Sequence, residues 1–137
     1  MKPEMTKEQK LRGMVEMLVS RFFGPDGLSS SKTRLKLVNR EMIEPTDVME
    51  QTIIEKMLEF QRVGKEVFCG FLGEDLPAEK IHLLIISLVG QCAYPMFSTE
   101  LLRKSGLITG PMNEFCKDLT EHVYEFTINA LENMRSK

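Results

Sequence analysis

The sequence is short of the residues that most site chemistry needs. It holds two histidines, His82 and His122, and three cysteines, Cys69, Cys92 and Cys116. No C-x-x-C pair occurs, and an odd count argues against a disulfide framework, so the cysteines are expected as buried free thiols of a cytoplasmic chain. A glycine-rich phosphate loop and a G-x-S-x-G nucleophile turn are both missing, and no cysteine has a histidine near it in a recognisable motif. A basic excess is missing too: 18 Lys and Arg stand against 20 Asp and Glu. That balance disfavours a free-standing nucleic-acid binder, because phosphate binding rests on positive charge. No apolar run reaches the ~18 residues of a membrane span; the longest, Ile81 to Val89, is interrupted at Ser87. The first ten residues are polar and hold no signal core. These absences predict a soluble cytoplasmic domain with no catalysis, no cofactor and no membrane contact.

What is present reads as one helical domain. A chain of 137 residues with 42% hydrophobic and 28% charged residues has the size and composition of a single folded unit with its own core. The expected division is a polar segment at 1–10 and one domain at 11–135. Apolar spacing is helical throughout and no segment alternates as a strand does. The first helix is expected from about Thr6 to Phe23 and is followed by the loop Gly24 to Ser31. The second spans about Lys32 to Ile43 and is ended by Pro45, since the residue before a proline is pushed out of the helical region. Thr46 or Asp47 then caps a long third helix to Leu72, with a bend or break expected near Gly64. Asp75 and Pro77 open a fourth helix to about Phe97, apolar around most of its circumference. A short helix from Ser98 to Ser105 and a last one from Pro111 to about Met134 complete an all-α, orthogonal and antiparallel bundle of about six helices.

The fourth and last helices carry more apolar surface than one chain covers. The last has two stripes, one through Phe115, Leu119, Val123 and Phe126, the other through Cys116, Tyr124, Ile128 and Leu131. Such a surplus predicts a surface shared with a second copy, a homodimer; the alternative is that these two helices are the central ones of the bundle.

Two segments carry a family resemblance. Asn39-Arg40-Glu41-Met42 with Glu44-Pro45-Thr46, and then Ser87, Gly90 and Gln91, resemble the R-E-x-x-E-P-[ST] and S-x-x-G-Q segments in the effector-binding half of TetR-type bacterial transcription regulators. The likeness extends less specifically from Leu11 to Met134. It implies a TetR C-terminal-domain-like fold that dimerises through a four-helix bundle, with a small-molecule pocket among the preceding helices. It also implies that DNA is met only through an N-terminal domain that this sequence lacks. A helix-turn-helix needs about fifty further residues ahead of Leu11, so the chain is expected to be a regulatory fragment, with a natural protein that lost its reader as the alternative. The sequence departs from the branch at Ile54-Glu55-Lys56-Met57, where relatives carry a proline, which bears on the pocket's shape.

From these readings follow the candidate residues. The apolar or amphipathic effector is expected among Met14, Leu18, Met42, Met57, Phe60, Gln61 and Phe68, with His82 or Tyr94 as a polar contact; methionine-rich walls suit adaptable binding. The dimer surface is expected from Leu84, Leu88, Gly90, Gln91, Phe115, Leu119, Val123 and Phe126. Arg40, Glu41 and Glu44 are expected as an ion-paired latch that ties the second helix to its neighbours. Lys32, Lys36 and Arg40 share a helical stripe that reads either as an anion site or as a solvated face. The predicted output is a shift in the second and third helices that alters DNA binding of an intact regulator. The runner-up is a stand-alone module that forms mixed dimers with a regulator. A metal-binding bundle is a third reading. Glu79 and His82 have the E-x-x-H spacing of carboxylate-bridged sites, but Leu119 stands where a second such motif needs its glutamate before His122.

Overall fold

The computed structural model describes residues 4–73 and 75–135; Met1 to Pro3 of the expected N-terminal segment lie outside them. Among the described residues there are five helices and no strand: α1 (Lys7–Phe23), α2 (Lys32–Ile43), α3 (Asp47–Leu72), α4 (Ala78–Lys104) and α5 (Met112–Arg135). Local chemistry sets most of the boundaries. Thr6 and Gln9 form a reciprocal capping box at α1, Ser31 caps α2, and Thr46 caps α3, each hydroxyl taking a backbone N–H that the first turn leaves unpaired. Gly73 closes α3 with φ 68°, a left-handed conformation that glycine adopts without steric penalty.

The helix count differs from expectation because Ser98 to Lys104 continues α4. Pro95 lies inside that helix and is buried. Its missing N–H leaves the Gln91 carbonyl without its usual donor, yet the helix carries on. The Thr99 hydroxyl donates to the Pro95 carbonyl at 2.6 Å, a local bond on the turn that follows. Of the bend or break expected near Gly64, the break is absent, as α3 is continuous. Gly64 is buried for another reason: a Cβ there would lie 2.8 Å from Ile85 Cδ1 and 3.5 Å from Met14 Cε. The residue is small so that α3 can cross tightly over α4 and α1.

The core comes from α1, the C-terminal half of α3, α4 and α5. Leu11, Val15, Phe68, Phe71, Ile81, Leu88, Cys92, Val123 and Leu131 are at most 2% exposed. Two contacts fix α1 against α5. Arg12 grips Glu121 with bonds of 2.6 and 3.2 Å while its guanidinium lies 4.2 Å from the centre of the Tyr124 ring. At the other end, Phe23 meets Phe115 edge to face at 6.1 Å. No residue of α2, and none of α3 before Phe60, belongs to the core. Residues 32–59 therefore form an arm outside the packed bundle.

By length and composition α4 is apolar enough to cross a membrane. In this fold one side of it, Ile81, Ile85, Leu88, Cys92 and Met96, is the centre of the core.

Two glycines in α3 give opposite expectations. Gly64→Val should lower stability by roughly 1–3 kcal/mol, because the added carbons meet Ile85 in a packed core. Gly70→Ala, where nothing lies within 4 Å, should raise it by up to ~1 kcal/mol through helix propensity. Thermal or urea unfolding of both variants against the parent checks the pair.

Candidate functional site

The arm and α4 outline an open three-sided frame, joined at its corners. Its first side is α2, about 18 Å long at ~1.5 Å per residue. The second is α3 from Asp47 to about Phe60, and the third is α4 from Ile85 to Glu100. Each corner is held by named contacts. At the start of α2, Lys32 Nζ lies 3.7 Å from Glu100 Oε1. At the crossing of α3 and α4, Gly64 seats Ile85 and Gln61 Nε2 donates to the Ala78 carbonyl at 3.0 Å.

The third corner is the α2–α3 turn, built on Glu41. This carboxylate is 6% exposed. Its Oε2 accepts the Thr46 N–H at 2.8 Å and the Thr46 hydroxyl at 3.2 Å; Oε1 takes a 3.4 Å contact from Arg40. The Thr46 N–H, then Arg40 and the Thr46 hydroxyl, hold the Glu41 carboxyl below the usual carboxylate range against the opposing effect of burial. Of the three residues expected as a latch, Glu41 makes the closure. Arg40 assists from an exposed position, and Glu44 is the exposed C-cap of α2. The closure joins α2 to α3, the next helix in sequence.

Helical spacing sorts the rest by face. On α3, Met49, Ile53, Met57 and Phe60 share the side of Gly64; on α2, Leu35, Val38 and Met42 share one side; on α4, His82, Ile86, Val89, Ala93, Phe97 and Glu100 share another. Several of these apolar residues are well exposed, among them Met42 at 52% and Met57 at 53%. Of the nine expected pocket residues, the structure sets Met42, Met57, Phe60, Gln61 and His82 on or beside this frame. Met14, Leu18 and Phe68 are 3%, 4% and 0% exposed and belong to the core cluster. Tyr94, 68% exposed, lies on a different side of α4.

That different side is a continuous exposed stripe. Leu83, Ser87, Gly90, Tyr94 and Leu101 follow one another at three-, four- and seven-residue steps, with Ile86 and Phe97 along its edge. Leu83, Tyr94 and Leu101 are all at least 60% exposed, and an added Cβ on Gly90 would meet nothing within 4 Å. On α5, Phe126 is 59% exposed and stacks at a tilt on His122, with half-buried Phe115 and Leu119 on the same side. The expected shared surface is thus redrawn. Leu88 and Val123, 1% and 0% exposed, point into the chain's own core, and Leu84 packs partly against it. Leu83, Tyr94 and Leu101 were missed because helical spacing on a helix apolar around most of its circumference does not say which stripe faces out. Gln91 is half-buried. Its Nε2 donates to the Ser87 carbonyl at 3.0 Å, while its Oε1 is buried with no partner.

A shallow groove of about 440 Å³ between the end of α1 and the start of α5 is lined by Val19, Phe23, Met112 and Cys116, among others. It contains none of the expected pocket residues. Burial, with Cys116 nearby, pushes the Cys92 thiol up to about 11, and burial also raises Cys116, which disfavours the thiolate at these two residues. Among the described residues no three His, Cys, Asp or Glu side chains group as metal ligands do.

Residues 7–131 match a family model described as the C-terminal domain of the HTH-type transcriptional dual regulator CecR. Neither a curated protein nor a solved structure matches the chain.

If Glu41 holds the third corner, Glu41→Ala should speed hydrogen exchange at Thr46 to Glu50 and along α2 while leaving α1 and α5 protected. The parent should show a pH dependence of the same origin. A carboxyl with a lowered pKa supports the fold fully above the ordinary carboxylate range and loses that contribution as pH falls through its own lower value. Acid should therefore loosen the α2–α3 turn, and exchange mass spectrometry between neutral and acid pH reads it at Thr46 to Glu50.

Proposed function

The chain belongs to the CecR C-terminal-domain family, a family of TetR-type transcription-regulator C-terminal domains, and we propose that it senses an apolar or amphipathic small molecule and forms a homodimer. The observation that carries the reading is the division of labour on α4. One side is buried in the core, a second faces the open frame, and a third is the exposed stripe from Leu83 to Leu101. An apolar helix face left in water is unfavourable at roughly 25 cal/mol per Å², and a stripe of this length matches the self-complementary patch that a two-fold dimer reuses.

The frame supplies the sensing half. Its walls are apolar, two of its corners are held by packing and hydrogen bonds and the third by one exposed ion pair, and α2 has little packing of its own to lose. A molecule that binds one setting of α2 and α3 better than another shifts the population between them by its differential affinity. In an intact regulator, a change in the arm or in the angle between two copies would alter the spacing of the DNA-reading heads, and so operator binding.

Sedimentation across a range of concentrations tests the dimer. The parent is expected at twice the chain mass. Gly90→Leu is an informative variant, because a Cβ there meets nothing within 4 Å of its own chain, so the added bulk acts on the proposed contact with a second copy. It should weaken association at least about tenfold, equivalent to ~1.4 kcal/mol, with monomer helicity unchanged. A parent that stays monomeric at high concentration overturns the dimer; a Gly90→Leu variant that dimerises as tightly as the parent removes Gly90 from its interface.

A further inference from the structure

Resting on the reading of the frame as a small-molecule site, we propose that its occupant is a single-chain amphiphile with an anionic head, the head held at Lys32 and the tail among Leu35, Val38, Met57, Phe60 and Val89. The argument starts from an imbalance of charge. The chain has a net charge of −2, yet α2 alone is net +3, with Lys32, Arg34, Lys36 and Arg40 against Glu41. That one acid is already committed to Thr46 and Arg40.

The positive charge gathers at one corner of the frame. Lys32 begins α2 and Lys36 follows one turn later; Lys104 ends α4 beside them. Glu100 is the acid set among these lysines, and it is shared. It lies 3.2 Å from Lys104 within α4 and 3.7 Å from Lys32 across the corner. Lys104 is the larger cause of its lowered pKa, so Glu100 keeps a close partner when Lys32 turns elsewhere. The Lys32 side chain is 82% exposed. A loose, exposed pair of this kind contributes little, and an incoming carboxylate replaces it without stranding a charge.

The opposite corner has the reverse sign. Glu44, Asp47 and Glu50 surround the α2–α3 turn, which repels an anionic head and gives the site a direction. Between the two corners the walls are apolar, which calls for a hydrocarbon body. The ligand chemistry follows: an anion at one end, an alkyl or similarly apolar chain behind it. Displacing Glu100 from Lys32 also frees the start of α2, so the group that recognises the head is one of the three corners that hold the arm.

Calorimetric titration of the full chain with three ten-carbon probes below their micellar concentrations tests this: decanoate, decanol and decyltrimethylammonium. Decanoate is expected to bind at least about tenfold tighter than the cation, with an affinity that falls as salt rises. Lys32→Ala with Lys36→Ala should weaken decanoate about tenfold and leave decanol unchanged. Both lysines are exposed, so circular dichroism should match the parent. Glu100→Gln should hold or raise decanoate affinity. The proposal is overturned if the cation binds as well as the anion, or if the double lysine variant binds decanoate like the parent. If none of the three probes binds, the small-molecule reading of the frame fails with it; if all three bind alike, that reading stands and only the anionic head is lost.

Discussion

A helix that is apolar around most of its circumference needs cover on more than one side, and this fold fully buries one side of α4. The core takes Ile81, Ile85, Leu88, Cys92 and Met96. What remains, the frame side and the outer stripe, is held in water by the rigidity of the core beneath it. The other helices are arranged around that constraint. α1 and α5 brace one another across Arg12 and Glu121 and close over the core side of α4. α3 crosses it at Gly64, and α2 is left to stand off from it.

The consequence is a domain of two consistencies. The bundle of α1, α4, α5 and the end of α3 is dense, and its interior is hydrocarbon with few polar atoms. The arm of α2 and early α3 is held by hydrogen bonds and one loose ion pair at its corners. Interactions of that kind are individually weak in water, and segments that depend on them open locally at free energies well below global unfolding. Sensing regions are drawn from such segments because a small binding energy is then enough to reset them.

Much of this was legible from residue order. The starts of α1, α2 and α3 follow from Thr6, Ser31 and Thr46, side chains whose capping chemistry is local and needs no tertiary context. The segments around Glu41 and Gln91 pointed to the family that the comparison supports. The misreadings share a physical cause. Periodicity tells which residues lie on one face of a helix but not what covers that face. Met14, Leu18 and Phe68 were therefore placed in a pocket when they are core, and Leu88 and Val123 were placed on a surface. Gly64 was read through its backbone freedom, whereas its missing side chain is what the crossing uses. The fourth helix was ended near Phe97, whereas it runs on through Ser98 to Lys104 with Pro95 buried inside it.

The unbroken α3 has a mechanical meaning. It pivots where Gly64 rests on Ile85, with about 25 Å of helix on the arm side, from Asp47, and about 12 Å on the core side, to Leu72, at ~1.5 Å per residue. It is a lever with arms in a ratio of roughly two to one. A tilt that moved Leu72 by a fraction of an ångström would move the Thr46 tip about twice as far, and the reverse path would divide a large excursion of the tip into a displacement that a packed interior can absorb.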